Sequence, residues 1–334
     1  ETHMAECTLV EAVNLALARA LADDPNVVVL GEDVGANGGV FRVTEGLADK
    51  HGHDRVQNTP LDESGILGAA IGLAIAGMRP IPEIQFEGFL GPAYDQIVNH
   101  AARYRNRTRG TVTIPMTVRV PVGGGIHAPE LHSDSPEAIY SHSPGLKVVM
   151  PCTPYDAKGL LLSAIRDPDP VVFLENELLY GTSFEMSAEA GGEDFLLPIG
   201  KAKVMREGTD VTITAVSKMV GFALEAADAL AAKGISAEVI NLRSVRPLDR
   251  EAIAASVRKT HRLVSVEEGW PQSGLGAEIA AVAMEECFDD LDAPVERVTG
   301  ADIPTPYAKS LEDLAFPKPD DIVRVCERAC FRSA

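Results

Sequence analysis

The chain has 334 residues, 46% hydrophobic and 24% charged, the proportions of an ordinary globular protein with room for one large or two medium domains. With 49 acidic residues against 30 basic ones its formal net charge is −19, which argues against sequence-independent binding to nucleic acid, since that needs clustered cations. No apolar run reaches the ~18–20 residues of a membrane-spanning helix. Ile66 to Met78 comes nearest and is too rich in Gly and Ala. Cys7, Cys152, Cys287, Cys326 and Cys330 include no CxxC pair and read as free thiols of a reducing compartment.

In chain order, residues 8–22 ("TLVEAVNLALARALA") carry apolar side chains at helical spacing, and "NVVVLGEDVG" holds an all-apolar strand, Val27 to Leu30, ending at Gly31. A Gly- and Ala-rich helix follows within "TPLDESGILGAAIGLAIAGMRP", then the strand "IPEIQF" and the helix "AYDQIVNHAARYRNRT". "TIPMTVRVP" predicts a strand leading into the loop "GGGIHAPELHSDSPEA". The strand "LKVVMP", the helix "PYDAKGLLLSAIRD" and the strand "PVVFLEN" come next. Continuous β-branched strands alternating with helices predict a layered α/β domain with a mainly parallel sheet. The polar, Gly-rich stretch "GTSFEMSAEAGGE" (181–193) marks a linker. A second alternating set, "DVTITAVS", "GFALEAADALAAKG", "SAEVINL", "REAIAASVRKT", "RLVSVEE", "GAEIAAVAMEECF" and "VERVTG", predicts a smaller α/β domain. The expected boundaries are 5–182, a linker at 183–198, and 199–334.

Two stretches hold the candidate chemistry. In the first, Glu63 stands at the mouth of the small-residue helix. Asp62 can cap that helix with Glu63 in the first turn, or Thr59 can cap it with Pro60 at the first helical position. Either way a carboxylate there gains roughly 0.3–1 kcal/mol from the helix dipole, which is the plain structural reading of Glu63. Gly65, Gly68, Gly72 and Ala76 form one smooth face, and a helix with no polar side is expected to be buried. An ionised Glu63 at its edge then needs a partner. The second stretch, "VGGGIHAPELHSDSPEAIYSH", holds His127, His132, His142, Glu130 and Asp134 behind three glycines that permit an unusual backbone path and close approach to a ligand. His127 and His132 have no matching Cys or His pair for zinc. Either is a solvated loop histidine or a general acid–base, and spacing does not separate the two. No GxGxxG, Walker, GxSxG or HExxH pattern occurs.

The segments "VVVLGEDVGANGGVFRVTEGL", "TPLDESGILGAAIGLAIAGMRPIPEIQF", "ELHSDSPEA", "TPYDAKGLL" and "AIRDPDPVVFLENELLYG" resemble the beta subunit of the decarboxylating component of 2-oxo acid dehydrogenases, a transketolase-like family. "EVINLRSVRPLD", "GWPQSGLGAEI" and "RVTGADIPTPYAKSLED" resemble its pyruvate branch in particular, and the likeness runs in order from about residue 8 to about residue 325. It implies an N-terminal pyrimidine-type thiamine diphosphate domain and a C-terminal transketolase-type domain.

The resemblance also implies a shared active site. Thiamine diphosphate and Mg2+ would be held at the diphosphate end by an alpha subunit, through a "GDG" segment this chain lacks, in an α2β2 heterotetramer. It assigns Glu63 to the aminopyrimidine ring, Phe89 and Leu61 to packing on that ring, and His132 to proton transfer. Without the resemblance Phe89 reads as core. Asp134 stands where many relatives have Gln. "AIRDPD" resembles a loop holding a structural potassium ion through Ala164, Asp167 and Asp169, although Asp169 stands where relatives often have Asn. The expected reaction is decarboxylation of pyruvate with acetylation of a lipoyl group. The branched-chain and acetoin enzymes, or a non-catalytic assembly scaffold, are the alternatives. Partners implied are the lipoyl and subunit-binding domains of the acyltransferase core. The acidic "MEECFDDLD" is either a docking patch for the latter or a solvated helix end. The expected location is a bacterial cytoplasm or a mitochondrial matrix, with no nucleic acid and no membrane.

Overall fold

The computed structural model describes residues 5–186, 190, 192 and 195–331. Residues 187–189, 191, 193 and 194 of the expected linker lie outside them. Two compact units result, Glu1–Val122 with Ile139–Ile199, and Gly123–Ala138 with Gly200–Ala334.

The first unit contains β1 (Ala5–Thr8), α1 (Leu9–Asp23), β2 (Val27–Gly31), α2 (Leu47–His51), β3 (Val56–Asn58), α3 (Glu63–Ile75), β4 (Arg79–Glu83), α4 (Leu90–Tyr94), α5 (Ala102–Arg107) and β5 (Thr117–Val122). After the excursion into the other unit come α6 (Glu137–Ser141, whose first two residues belong to that unit), β6 (Lys147–Val149), α7 (Pro154–Arg166), β7 (Val171–Asn176) and β8 (Ser183–Met186). A π-helical stretch, Asp95–Ala101, joins α4 to α5 into the one long helix that the sequence predicts.

Strands β6-β7-β5-β4-β2-β3 lie side by side, all parallel. β4 carries Pro80 and Pro82, which have no N–H to donate. Arg79 donates to Asn26 on the β2 side, so the even-numbered residues face β5, and the first donor in that direction is Ile84, to the Arg119 carbonyl at 3.0 Å. The prolines are therefore tolerated in an interior strand because they fall on one edge of it. A capping box starts α1: the Thr8 hydroxyl accepts from Glu11 N at 3.2 Å and Thr8 N donates to the Glu11 carboxylate at 2.7 Å. Leu9, Val13, Ala16, Leu17 and Ala20 bury its inner face in a core shared with Leu160, Leu161, Val171 and Phe173. β8, inside the stretch expected to be a linker, pairs antiparallel with β1.

The second unit contains β9 (Lys203–Arg206), β10 (Val211–Ala215), α8 (Met219–Ala232), β11 (Ala237–Asn241), β12 (Ser244–Arg246), α9 (Arg250–Thr260), β13 (Leu263–Val266), α10 (Leu275–Cys287), β14 (Glu296–Val298), α11 (Lys309–Ala315) and α12 (Pro319–Ala329). Its sheet runs β14-β13-β10-β11-β9, parallel except for β9 at the edge. Both units are thus α/β with mostly parallel sheets, as the alternation predicts.

Candidate active site

β2 and β3 are parallel neighbours, with Gly31 opposite Asn58, so the loops leaving them emerge from the same carboxyl edge of the sheet. That edge is where open α/β sheets receive ligands. Thr59 N donates to Gly31 O at 2.9 Å and Gly35 N to the Asn58 side chain at 2.6 Å, tying the two loops together. One loop carries Glu32, the other leads into Glu63.

Of the two possible caps for α3, Asp62 is the one used: its Oδ1 accepts from Gly65 N at 2.9 Å. Glu63 is the first helical residue, half-buried, and its carboxylate is not needed for the cap. The side chain that sequence reasoning missed is Glu32. It is only 5% exposed, and its Oε1 is buried without a hydrogen-bond partner among the described residues. Burial first, then the charge of Glu63, then that of Asp33, push its carboxyl above the ordinary range.

The apolar composition of α3 predicts a helix buried all round; the structure buries one side of it. Ile66, Leu67, Ala70, Ile71 and Ala74 face the core, while Gly65, Gly68, Ala69, Gly72 and Ala76 are exposed. A Cβ on Gly68 or Gly72 would meet nothing within 4 Å. Beside Glu63, Leu61 is 84% exposed. Phe89 is half-buried and belongs to a row of rings: it meets Phe86 edge-on at 6.2 Å, Phe86 meets Phe41 at 5.6 Å, and Phe41 meets Tyr180 at 5.1 Å.

The strands behind this edge are locked by a buried ion cluster. Arg119 on β5 is fully buried. It gives Nε and Nη2 to the two Glu175 oxygens at 2.8 and 2.7 Å, and Nη1 to Glu83 Oε2 at 2.6 Å. The Tyr180 hydroxyl donates to Glu175 at 2.6 Å. Burial alone would lower the guanidinium, but Glu175 and Glu83 outweigh it and keep it protonated. Glu83, holding the end-on share of that cation, has its carboxyl pushed up by burial.

The His132 loop belongs to the second unit. His132 closes a 3-10 turn, Glu130–His132, and is half-buried. Asp134 Oδ1 accepts from the Thr305 hydroxyl at 2.9 Å; burial raises its carboxyl against that bond. The close approach that the three glycines allow is made by a side chain of the same unit: a Cβ on Gly124 would lie 2.0 Å from the Phe316 ring. Nearby, Glu137 is buried among carboxylates, and burial followed by the charge of Glu267 holds it well above the ordinary range. Glu63 and His132 therefore lie in different units.

Residues 5–182 match the transketolase pyrimidine binding domain and residues 200–322 the transketolase C-terminal domain. The chain is 54% identical over 328 residues to the mitochondrial pyruvate dehydrogenase E1 component subunit beta-2 of Oryza sativa subsp. japonica, which spans 98% of this chain and 87% of that one. The corresponding beta-1 subunit of Arabidopsis thaliana is 54% identical, over 98% of this chain and 90% of its own. For the Drosophila melanogaster beta subunit the identity is 52%, over 95% and 87%. The chain belongs to the pyruvate dehydrogenase E1 beta-subunit family. A solved structure described as a split gene transketolase, inactive beta4 tetramer, has a TM-score of 0.80 at 26% identity, over 98% of this chain and 99% of that one. The resemblance read from the sequence is thereby borne out, in the pyruvate branch.

Two further features of this E1 beta-family chain differ from simple expectation. In the loop assigned to potassium, Ala164 O accepts from Asp167 N at 3.2 Å. Both Asp167 oxygens take Lys147 Nζ, one at 2.6 Å, and both Asp169 oxygens take Arg105 Nη1 at 2.7 and 2.9 Å. Arg79 Nη1 covers the Ile165 and Asp167 carbonyls at 2.9 and 3.4 Å. As arranged, these oxygens accept from three side-chain cations and do not fit a potassium ion. In the acidic "MEECFDDLD", Arg250 Nη2 pairs with Glu285 and with Glu286 at 2.8 Å, and Arg258 lies 3.7 Å from Asp290. Part of its charge is neutralised within the unit.

Proposed function

We propose that this chain is the beta half of a thiamine-diphosphate-dependent pyruvate dehydrogenase component, active when joined by an alpha subunit in an α2β2 assembly. The observation that carries the reading is the placement of Glu63 and Glu32 at the carboxyl edge of a pyrimidine-binding domain, Glu32 with a buried oxygen that has no partner among the described residues. That donor set suits a ring carrying both a basic nitrogen and an amino group. Thiamine diphosphate, when bound, supplies the carbon that adds to the 2-oxo acid carbonyl and receives the electrons left as CO2 departs.

The chain's own residues prepare that chemistry. Glu63, freed from capping by Asp62, holds a proton at a ring nitrogen. Phe89 and Leu61 pack the ring and exclude water, which would cover the exposed Leu61. His132 moves a proton on the substrate side. The alpha subunit supplies the diphosphate and Mg2+ ligands, and the uncovered Gly65–Ala76 face of α3 admits another chain's backbone closely. The lipoyl and subunit-binding domains of the acyltransferase core are the further partners, the acidic "MEECFDDLD" being one candidate dock. The mitochondrial location carried in the relatives' names fits a matrix enzyme; a bacterial cytoplasm is the alternative.

The test is to assemble the chain with candidate alpha subunits and compare pyruvate with branched 2-oxo acids, using an artificial electron acceptor. Preference for pyruvate is expected. A preference for branched acids would move the chain to that branch. Turnover by this chain alone would contradict the shared site, and an assembly inert with every 2-oxo acid would leave only a scaffold.

A further inference from the structure

The His132 loop is not held by its own residues alone. Gly123 N donates to Asp134 O at 2.9 Å and closes its base. From there the partners come from the C-terminal part of the second unit. Glu268 Oε1 accepts from Gly124 N at 2.6 Å and from Lys218 Nζ at 3.0 Å, and Lys218 also donates to Gly124 O at 2.9 Å. Tyr307 donates to Glu130 at 2.7 Å, and Thr305 to Asp134.

The most committed partner is Glu312 on α11. It is 2% exposed and spends both oxygens on the loop: Oε1 accepts from Gly125 N at 2.9 Å and Oε2 makes a short contact with His127 Nδ1. His127 adopts a left-handed conformation, φ 61°, that a non-glycine residue rarely takes without something to fix it. Gly124 leaves no room for a side chain against Phe316, so the loop start and the segment around α11 fit each other in shape as well as in charge.

We propose that Glu312 is a positioning residue: it clamps the start of the loop at Gly125 and His127 and thereby fixes where His132, five residues on, is presented. The consequence for turnover rests on the reading above that His132 moves a proton; the clamp itself does not. A short helix of the second unit would then set the geometry of a group expected to act on substrate.

The experiment uses the full chain assembled with its alpha subunit. Glu312→Ala, Glu312→Gln and His127→Ala are compared for amide hydrogen exchange over residues 123–138 and for lipoyl acetylation with pyruvate. His127 is largely on the surface side of the pair, so its variant tests the clamp even if Glu312→Ala folds poorly. The clamp predicts faster exchange in this loop in Glu312→Ala and His127→Ala, with the rest of the chain unchanged. It also predicts that kcat for lipoyl acetylation falls roughly 10- to 100-fold with KM for pyruvate little changed, as misplacement of a reacting group by about 1 Å does. In a double-mutant cycle, Glu312→Ala added to His132→Ala should cost no more than His132→Ala alone. Unchanged exchange in folded Glu312→Ala and His127→Ala overturns the clamp, and fully additive losses in the cycle overturn its action through His132. Faster exchange with His132→Ala fully active upholds the clamp and instead removes His132 from the reaction.

Discussion

Replacing Arg119 with methionine would leave Glu83 and Glu175 facing each other in the sheet of the first unit. Both carboxylates are at most 4% exposed, and the guanidinium they share is fully buried, so neither has water to replace the lost charge. Breaking a buried pair from one side typically costs ~3–5 kcal/mol, because the partner stays buried and unpaired. Here two partners stay behind, which places the expected loss at or above the top of that range. For a unit of this size each kcal/mol is worth about 2–4 °C, so the midpoint of thermal unfolding should fall by roughly 10–20 °C. The loss should also depend on pH with a definite sign. Burial already pushes the Glu83 carboxyl up, and without Arg119 nothing opposes that push, so Glu83 takes up a proton as the pH falls. The variant's deficit is therefore greatest near neutrality and shrinks towards about pH 5. Arg119→Lys keeps a charge but not the two-pronged contact with Glu175, and should lie in between. Thermal and urea unfolding of the three proteins over that pH range provide the measurement. A deficit under about 1 kcal/mol, the size of an exposed pair, or one that does not change with pH, would refute the claim that the cluster is dry.

Three further outcomes follow from the same geometry. Burial, then the charge of Glu267, push the Glu137 carboxyl well above its ordinary range, so the native protein's stability should fall as pH rises from the unfolded carboxyl value towards the raised folded one, by at most ~1.4 kcal/mol per pH unit. Glu137→Gln should flatten that slope in denaturant titrations, and an identical slope in both proteins would show that Glu137 is ionised. Asp62→Ala removes the α3 cap and should cost ~1 kcal/mol in urea unfolding while lowering turnover, because Glu63 sits in the turn that loosens; unchanged stability would mean that the cap is dispensable. Replacing potassium with sodium at equal ionic strength should shift the melting midpoint by less than about 1 °C, well below the effect of a saturated specific site, and a saturable potassium-specific rise would show that the ion displaces Arg79, Arg105 or Lys147.

The parallel-sheet cores of both units were legible because their strands are largely apolar, β-branched runs and most of their helices are amphipathic: Val27–Gly31, Val171–Leu174 and Val211–Ala215 are buried throughout. What escaped were elements whose stability is non-local. β1 and β8 are four residues each and exist because Ala5 pairs with Met186, a contact that no local pattern announces. β3 is three residues, two of them exposed and polar, held by its place beside β2. α12 carries an apolar stripe, Ile322, Val323, Val325, Cys326 and Ala329, that its interleaved charges obscure.

The site shows the same division. Glu63 was readable as an acid at a helix start, but the choice between Asp62 and Thr59 as its cap needed coordinates. Glu32 was hidden because "GED" after a strand looks like a solvated turn; its significance lies in burial and in the charge of Glu63. The triple glycine suggests room for a ligand, while Gly124 answers to Phe316 far along the chain. The potassium loop matched in sequence, but Arg105, some sixty residues upstream, occupies Asp169.

The central claim is that Glu63 handles a proton in a cofactor site that this chain shares with an alpha subunit. Glu63→Gln, assembled with the alpha subunit and assayed with pyruvate and an artificial electron acceptor, tests it most directly. The account predicts a normally folded, normally assembled complex whose kcat is lowered by roughly 10²–10⁴-fold, the usual worth of positioned acid–base catalysis. Full activity in that complex would contradict it and return Glu63 to the role of a helix-dipole acid.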